Sequence, residues 1–399
     1  MTPGAGRREF SESGYNYRLY LPYLMHVSVL QAVIAVSRVA TSYRTIELDL
    51  PVFWLGAISG SFAVLPMVLA VPLGRWLDRG RDAEAVWVGS FFILLACIGL
   101  WLTSGSQWTL IMSTALLGVG HLCIMAGHQT LALRCAEPRH RDAVFGSYMV
   151  LVAIGQGAGP LLVGWYGQGL KIAPSEPLFR LCVYASAFAF VTAFSMYRAP
   201  PAPPKSQAKP RVPIRDLLAI QGFTAMMLAS VMTVTSLDLL IVYLPLLGTE
   251  RNIEAGVIGI LLTIRSVTTM VARMFFLPMV RLLGRVPLMV VCLVAGGVAF
   301  ILMGLPVPVW LLGVATVLLG FGMGVAATLA LSSVVELAPA EAQGSAVTLR
   351  ITGNRVGQVT LPMLGGLIAA AAGAAGIMAI IGAALCLTGA AVAMSRRRA

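Results

Sequence analysis

Several charged side chains lie deep inside segments of the sequence that are otherwise almost wholly apolar, among them Arg38, Asp238, Arg265 and Arg355. A charge near the middle of a bilayer costs at least ~2.5–3.5 kcal/mol, so charges retained in such segments usually face a water-filled cavity or an ionic partner. Arginine stays charged, and its planar guanidinium binds carboxylate or phosphate through paired hydrogen bonds. The excess of arginine over acid therefore predicts a shared polar pocket suited to an anionic group.

Two polar rows at helical spacing point to the same pocket. In the first apolar segment, small and polar residues recur on one face at Ser28, Gln31, Ala35, Arg38 and Ser42. A second row, spaced four residues apart, consists of Arg350, Asn354 and Gln358. Because a polar row facing lipid would be penalised, we predict a cavity lined by Gln31, Arg38, Arg265, Asn354, Arg355 and Gln358. Arg273 and Arg350 have two equally supported interpretations: they line the cavity, or they form a gate or anchor a loop near the membrane surface.

A proton can be exchanged inside a membrane only by a group that titrates there. The candidates are Asp238, His26, His121 and His128. His121 and His128 are seven residues apart and share a helix face, although a lone helix histidine more often has a hydrogen-bonded structural role. The sequence shows no nucleophile–base pair, metal-ligand spacing or phosphate-binding loop. We therefore predict neither enzymatic activity nor a cofactor nor a metal site.

The elements that position these side chains are membrane helices. Hydrophobic residues make up 58% of the 399 residues and charged residues only 11%, whereas soluble domains carry about 25% charged residues. Each apolar stretch reaches, or nearly reaches, the ~20 residues that cross a bilayer, and the short alternating segments of a β-barrel are missing. We predict an all-α membrane protein with twelve spans, at 20–43, 52–73, 85–103, 109–132, 143–165, 178–197, 219–246, 255–280, 287–304, 309–335, 345–370 and 374–395.

The formal charge of +12 is distributed unevenly between the two sides of this predicted topology. With the N-terminus inside, nineteen of the 28 Lys and Arg residues fall in cytoplasmic segments and three in external loops. This bias is the positive-inside rule, and it predicts that both termini are cytoplasmic. A nucleic-acid partner is not expected, since no folded basic domain is present.

The chain reads as two related halves joined by a linker. Residues 198–216 begin with a basic, Pro-rich run that suits neither lipid nor helix, and they divide a first bundle (1–197) from a second (217–399). The run from Thr114 to Gly120 resembles that from Thr316 to Gly322, displaced by 202 residues. At the same offset, Gly155-Gln156 with Pro160 and Gly164 corresponds to Gly357-Gln358 with Pro362 and Gly366. Such repeats often place a central site between two bundles.

The repeat also places two opposite charges at similar depth. Asp238 corresponds to position 36 of the first half when the offset of 202 residues is subtracted, and position 36 is close to Arg38. We predict an ion pair between these residues that closes the external end of the pocket. The alternative is that each charge is satisfied within its own bundle or reaches the membrane surface.

The loop after the second segment reads Gly74-Arg-Trp-Leu-Asp78-Arg79-Gly80-Arg81. It resembles the signature loop of the major facilitator superfamily, Gly-x-x-x-Asp-Arg-x-Gly-Arg, with one position missing. In that family the acid latches the cytoplasmic ends of the two bundles when the cavity opens outward. The resemblance implies a gating role for Gly74, Asp78, Arg79 and Arg81.

The fifth segment carries Gly155, Gly159 and Pro160. The two glycines stack at i, i+4 and give a flat face for close packing, and the proline bends the helix. The pattern resembles the motif of the exporting antiporters of the superfamily, with Val163 replacing one glycine. The fourth segment departs from the drug–proton antiporters, because Thr114 and Leu117 stand where those carry arginine and glutamine.

The resemblance spans essentially the whole chain and implies a monomeric transporter that works by alternating access in the inner membrane. The expected function is proton-coupled export of a small organic solute, amphipathic or anionic. Proton-coupled uptake of an organic anion is the alternative, and a non-transporting sensor with a transporter fold is a third possibility. The expected partners are the anionic solute, protons and lipid.

Overall fold

The structure is a computed structural model that describes residues 16–77, 79–132, 135, 137–198, 214–339 and 342–397. Within these ranges the chain forms α-helices joined by short turns. Their bounds are α1 Tyr17–Glu47, α2 Phe53–Leu77, α3 Asp82–Thr103, α4 Gln107–Ala132, α5 Arg141–Tyr166, α6 Ser175–Ala193, α7 Ile214–Ala219, α8 Phe223–Glu250, α9 Ala255–Met274, α10 Phe276–Leu283, α11 Arg285–Gly304, α12 Val309–Leu337 and α13 Gln343–Arg397.

The predicted all-α architecture is confirmed. Eleven of the described helices are long and apolar enough to cross a membrane, and α13 supplies two of the twelve predicted spans. Its two parts meet at Gly373, whose φ of 66° and ψ of −177° are not helical and suit a residue without a Cβ. One prediction was wrong: the span placed at 255–280 ends at Met274, and a separate short helix, α10, follows.

Each half of the chain packs as a bundle. Helix α1 contacts α5 and α6, while α3 contacts α4 and α6. The second half repeats this arrangement with α8 against α13 and α11 against both α12 and α13. The bundles meet where α2 packs on α13, α5 on α9 and α1 on α8. Of the linker predicted at 198–216, residues 199–213 lie outside the described residues.

Glycines bring the two bundles into close contact at one end, which we call the closed end. A Cβ on Gly60 of α2 would lie 2.9 Å from the carbonyl oxygen of Val359, and one on Gly164 of α5 would lie 3.0 Å from that of Gly256. Backbones can approach this closely only without side chains. The closed end is the end at which α1 finishes, at Glu47.

At the opposite end, where the described chain begins and finishes, three glycines make no such contact between the bundles. Gly74 of α2, Gly146 of α5 and Gly344 of α13 have no neighbouring atom within 4 Å of a built Cβ. We call this the open end. The close glycine contacts between the bundles that the structure describes thus lie in the half of the molecule nearest the closed end.

The same clamp holds the closed end of each bundle. Glu47 accepts a hydrogen bond from the backbone N–H of Ser175 at 2.8 Å and another from its hydroxyl, at the start of α6. In the second half, Glu250 accepts from the N–H of Ala374 at 3.1 Å, at the start of the last span. A carboxylate is well placed there, because a helix N-terminus carries unpaired N–H groups and partial positive charge. The repetition of the clamp fits a duplicated six-helix unit.

Replacing Glu47 with alanine is expected to lower the free energy of unfolding by about 1 kcal/mol, the usual cost of losing a helix cap. The measurement is the thermal unfolding midpoint of the purified protein in detergent. Glu254→Ala is the matched control, since Glu254 is exposed and makes no side-chain cap. Equal midpoints for the two variants would show that the clamp is not stabilising.

Candidate functional site

An ion pair joins the two bundles near the middle of the molecule. The Nη1 atom of Arg38 on α1 lies 2.5 Å from Oδ1 of Asp238 on α8, and both side chains are 14% exposed. The predicted pair is therefore present. The similar depth of the two residues in the repeat was the signal that revealed it.

The second oxygen of Asp238 is also engaged. Nε2 of Gln358 on α13 donates to Oδ2 of Asp238 at 2.5 Å. Nη1 of Arg355, one turn earlier, donates to Oε1 of Gln358 at 3.1 Å. One carboxylate thus connects α1, α8 and α13, and it brings Arg38 and Arg355 around a single acid.

Arg265 of α9 completes this group, which we call the central cluster: Arg38, Asp238, Arg265, Arg355 and Gln358. Arg265 is only 7% exposed, and it lies within electrostatic range of both Asp238 and Arg38. Its Nη2 donates to the hydroxyl of Ser266 at 2.8 Å, and its Nε has no hydrogen-bond partner. The central cluster therefore contains three arginines and one carboxylate, a formal charge of +2.

Aromatic side chains form one wall of the central cluster. The guanidinium of Arg38 lies 4.8 Å from the ring centre of Phe62, a distance at which a cation is attracted to an aromatic face. His121 of α4 packs 5.5 Å from the same ring and lies within electrostatic range of Arg355, Arg38 and Asp238. Phe62 was not predicted, because an aromatic residue in an apolar segment carries no signal of its own.

A small cavity adjoins Arg38 on the side of the closed end. Its volume of about 20 Å³ is enough for one water molecule. It is lined by Arg38, Thr41, Ser42, Thr45, Leu55, Ile58, Ser59, Thr114, Leu117 and Val242. The hydroxyls of Ser59 and Thr114 are buried there without a hydrogen-bond partner, so a water would satisfy groups that the protein leaves unpaired.

His26 and His128 are paired with each other and not with the central cluster. Nδ1 of His26 lies 2.8 Å from Nε2 of His128, and both residues are fully buried. Nε2 of His26 lies 3.0 Å from the hydroxyl of Ser90, which donates to the carbonyl of Val86. Ser90 must therefore accept from His26, and His26 in turn accepts from Nε2–H of His128. These partners all belong to the first bundle, which agrees with a hydrogen-bonded structural role for the two histidines.

Two of the predicted cavity residues are held by local contacts. Gln31 is 2% exposed. A Cβ built on Gly155 would lie 2.7 Å from the Cβ of Gln31, so Gln31 lies where α1 packs on α5. Asn354 is 8% exposed, and its Oδ1 accepts from the hydroxyl of Ser230 at 3.1 Å. Neither side chain is hydrogen-bonded to the central cluster.

The Gly155, Gly159 and Pro160 motif of α5 packs against α1 within the first bundle and against α9 of the second bundle. A Cβ on Gly159 would lie 2.9 Å from the backbone N of Val36 in α1, whereas one on Gly259 of α9 would lie 2.5 Å from the carbonyl oxygen of Pro160. The motif therefore keeps α1, α5 and α9 at close range. Its role in the conformational change stays a prediction.

The signature loop is described only in part. Asp78 lies outside the described residues. The N–H of Arg79 donates to the carbonyl of Trp76 at 3.2 Å, and Nη1 of Arg81 lies 3.5 Å from Oε2 of Glu84. The gating role of Gly74, Asp78, Arg79 and Arg81 stays a prediction.

Solved structures of the same architecture are transporters. The nucleoside transporter NupG has a TM-score of 0.71 and 14% identity, with 95% of this chain and 99% of that chain covered. A POT family transporter in complex with a thioalcohol-conjugated peptide has a TM-score of 0.77 and 13% identity, covering 95% and 96%. An inward-facing bacterial homologue of the lysosomal transporter Spinster has a TM-score of 0.75 and 15% identity, covering 96% and 97%.

These likenesses show the fold, and none of the three is described as an exporting antiporter. The sequence has no significant match among curated proteins. The model of the Major Facilitator Superfamily matches residues 23–233 and 226–399, which together span nearly the whole chain. The chain thus belongs to the Major Facilitator Superfamily and is a multi-pass secondary transporter of that type, not an enzyme.

Proposed function

We propose that this transporter carries a small organic anion through the central cavity. The observation that supports this most strongly is the composition of the central cluster, which contains three arginines and a single carboxylate, that of Asp238. A buried cation without a counter-ion is costly, and a guanidinium binds carboxylate and phosphate groups in a defined geometry. An anionic substrate supplies the charge that the protein itself lacks.

The chain works by alternating access in the cytoplasmic membrane, with both termini in the cytoplasm. The basic residues concentrate at the open end, in agreement with the positive-inside rule. In this orientation the structure is inward-open. Arg38 and Asp238 then form part of the external gate, since they join the bundles on the side where Gly56, Gly60 and Gly164 already hold them together.

Proton entry drives export in this proposal. Asp238 and His121 are the candidate proton carriers, because both titratable side chains lie beside the arginines that would hold the anion. A proton on Asp238 would release Arg38 and Gln358 for the anion, so that proton and anion would bind together. This arrangement favours the alternative function, proton-coupled uptake of an organic anion. The exporting direction is supported by the pattern of Gly155, Gly159 and Pro160, which resembles the motif of the exporting antiporters.

Purified protein in liposomes is expected to take up labelled organic anions several-fold faster when the vesicle interior is acidic than without a gradient. Amphipathic cations of similar size are expected to enter no faster than into protein-free liposomes. If uptake were instead faster with acid outside the vesicles, the protein would be a symporter and the proposed direction of transport would be wrong. Transport of the cations, but not of the anions, would contradict the proposed substrate class.

A further inference from the structure

Two arginines lie between the central cluster and the open end, and we call Arg273 and Arg350 the second tier. Arg273 is exposed and forms no hydrogen bond or ion pair with any residue that the structure describes. Arg350 donates from Nη1 to the hydroxyl of Ser230 at 3.1 Å, while its buried Nε has no partner. Arg273 also lies within electrostatic range of Arg265. Neither cation is neutralised by a carboxylate of the described residues.

Three helices place the second tier at the same distance from the central cluster. Arg273 follows Arg265 by eight residues in α9, and Arg350 precedes Gln358 by eight residues in α13. Ser230, which binds Arg350, precedes Asp238 by eight residues in α8. At a rise of 1.5 Å per residue, eight residues correspond to about 12 Å along each helix. The cavity therefore has two cationic levels, one at its centre and one nearer its opening.

When the open end closes, α2 and α5 must approach this second tier. The helices α2 and α13 run antiparallel, with Gly60 beside Val359. In the same way α5 runs antiparallel to α9, where the hydroxyl of Thr263 donates to the carbonyl of Gly157 at 3.1 Å. Continuing both registers toward the open end brings Arg273 level with about residue 147 of α5 and Arg350 level with about residue 69 of α2. Arg350 is nine residues from Val359, on the opposite side of α13, where it binds Ser230 of α8.

The two described runs of α2 and α5 at these levels contain no acidic residue. Residues 64–72 of α2 read VLPMVLAVP, and residues 143–153 of α5 read AVFGSYMVLVA. In the sequence, Asp142 directly precedes the second run, and Asp78 follows the first run by six residues. Closing the empty cavity would thus move Arg273 from water to a mostly apolar wall, at a cost of several kcal/mol before relaxation, while Arg350 would stay without a counter-ion.

We propose that Arg273 and Arg350 form a second anion-binding position, and that the substrate is an elongated organic dianion. This inference rests on the proposed function. One anionic group binds the central cluster and the other binds the second tier, so that the charge of the cargo neutralises both levels. The open end then closes over the loaded carrier and not over the empty one, which couples the conformational change to a substrate with two separated charges.

The test compares α,ω-dicarboxylates of four to ten carbons with monocarboxylates of the same chain length, as substrates of the full-length protein in liposomes. The wild type is expected to transport one of the longer dicarboxylates with a kcat/KM at least tenfold above that of the matched monocarboxylate. Arg273→Gln and Arg350→Gln are each expected to remove at least tenfold from the dicarboxylate value. The monocarboxylate value should not fall and is expected to rise, because removing the cation also removes the cost of closing over it without a counter-ion. Arg350→Lys keeps the charge and is expected to recover part of the loss.

Arg180→Gln is the matched control, because Arg180 is exposed on α6. This variant is expected to leave the kcat/KM of both substrates unchanged. Size-exclusion chromatography reports whether each variant is folded. An equal loss for both substrate classes would overturn the second position and leave the two arginines as a general attraction for anions. Transport of monocarboxylates without any dicarboxylate preference would overturn it as well. If neither class is transported while other solutes are, the proposed function itself fails.

Discussion

Neutralising either partner of the Arg38–Asp238 pair, as Arg38→Gln or Asp238→Asn, is expected to lower the transport rate at least a hundredfold. The pair is largely buried, and removal of one partner from a buried ion pair typically costs ~3–5 kcal/mol because the other charge stays uncompensated. Loss of Asp238 would also strand Gln358, whose Nε2 donates to it. The measurement is initial-rate transport in liposomes at matched protein density.

The exchanged double variant Arg38→Asp with Asp238→Arg restores opposite charges across the bundles. We expect it to recover at least tenfold over the worse single variant, although the contact of Arg38 with Phe62 is lost. Arg285→Gln is the control, since its partner Glu336 is exposed and lies in the same bundle; its effect should stay within about twofold. No recovery in the double variant would mean that the pair is not a gate.

Gly56→Leu is expected to abolish transport by preventing the closed end from forming. A Cβ at Gly56 would overlap the carbonyl oxygen of Pro362 and lie 2.9 Å from the hydroxyl of Tyr243. That hydroxyl itself donates to the Pro362 carbonyl at 3.0 Å, so the site has no room to relax. Any side chain must therefore push α2 away from α13, and we expect at least a hundredfold loss.

The displacement can be measured directly. Nζ of Lys171 donates to Oδ1 of Asn252 at 2.5 Å, across the bundle interface at the closed end. Cysteines placed at positions 171 and 252 should cross-link in the wild-type background and fail to do so in Gly56→Leu. Gly313→Leu is the control, because no atom lies within 4 Å of a Cβ there. Retained cross-linking together with normal transport in Gly56→Leu would contradict the packing argument.

Much of the site could be predicted because a charge in an apolar segment is conspicuous. Arg38, Asp238, Arg265 and Arg355 were all singled out this way, and the repeat supplied the depth that paired the first two. His26 and His128 were chosen on the same grounds, yet the structure pairs them inside the first bundle. A titratable side chain marks a polar environment, and the sequence does not reveal whether that environment is the cavity or a bundle core.

The clamps formed by Glu47 and Glu250 were missed for a related reason. Both residues end a span and read as ordinary surface acids, because their partners at Ser175 and Ala374 lie more than 120 residues away. The break between α9 and α10 was missed because the sequence stays apolar on both sides of it, from Met274 to Val280. Hydrophobicity alone does not show where a helix ends.

The sequence by itself determined the number of spans, the duplication, the uneven placement of basic residues and the arginine excess, because hydrophobicity, repetition and charge are local properties of the chain. Only the tertiary structure decided which end of the cavity is closed, which arginines share Asp238 and which histidines face each other. Those outcomes depend on the rotation and crossing of helices, which are set by contacts between residues far apart in the chain. The two cationic levels of the cavity become visible only when both kinds of information are combined.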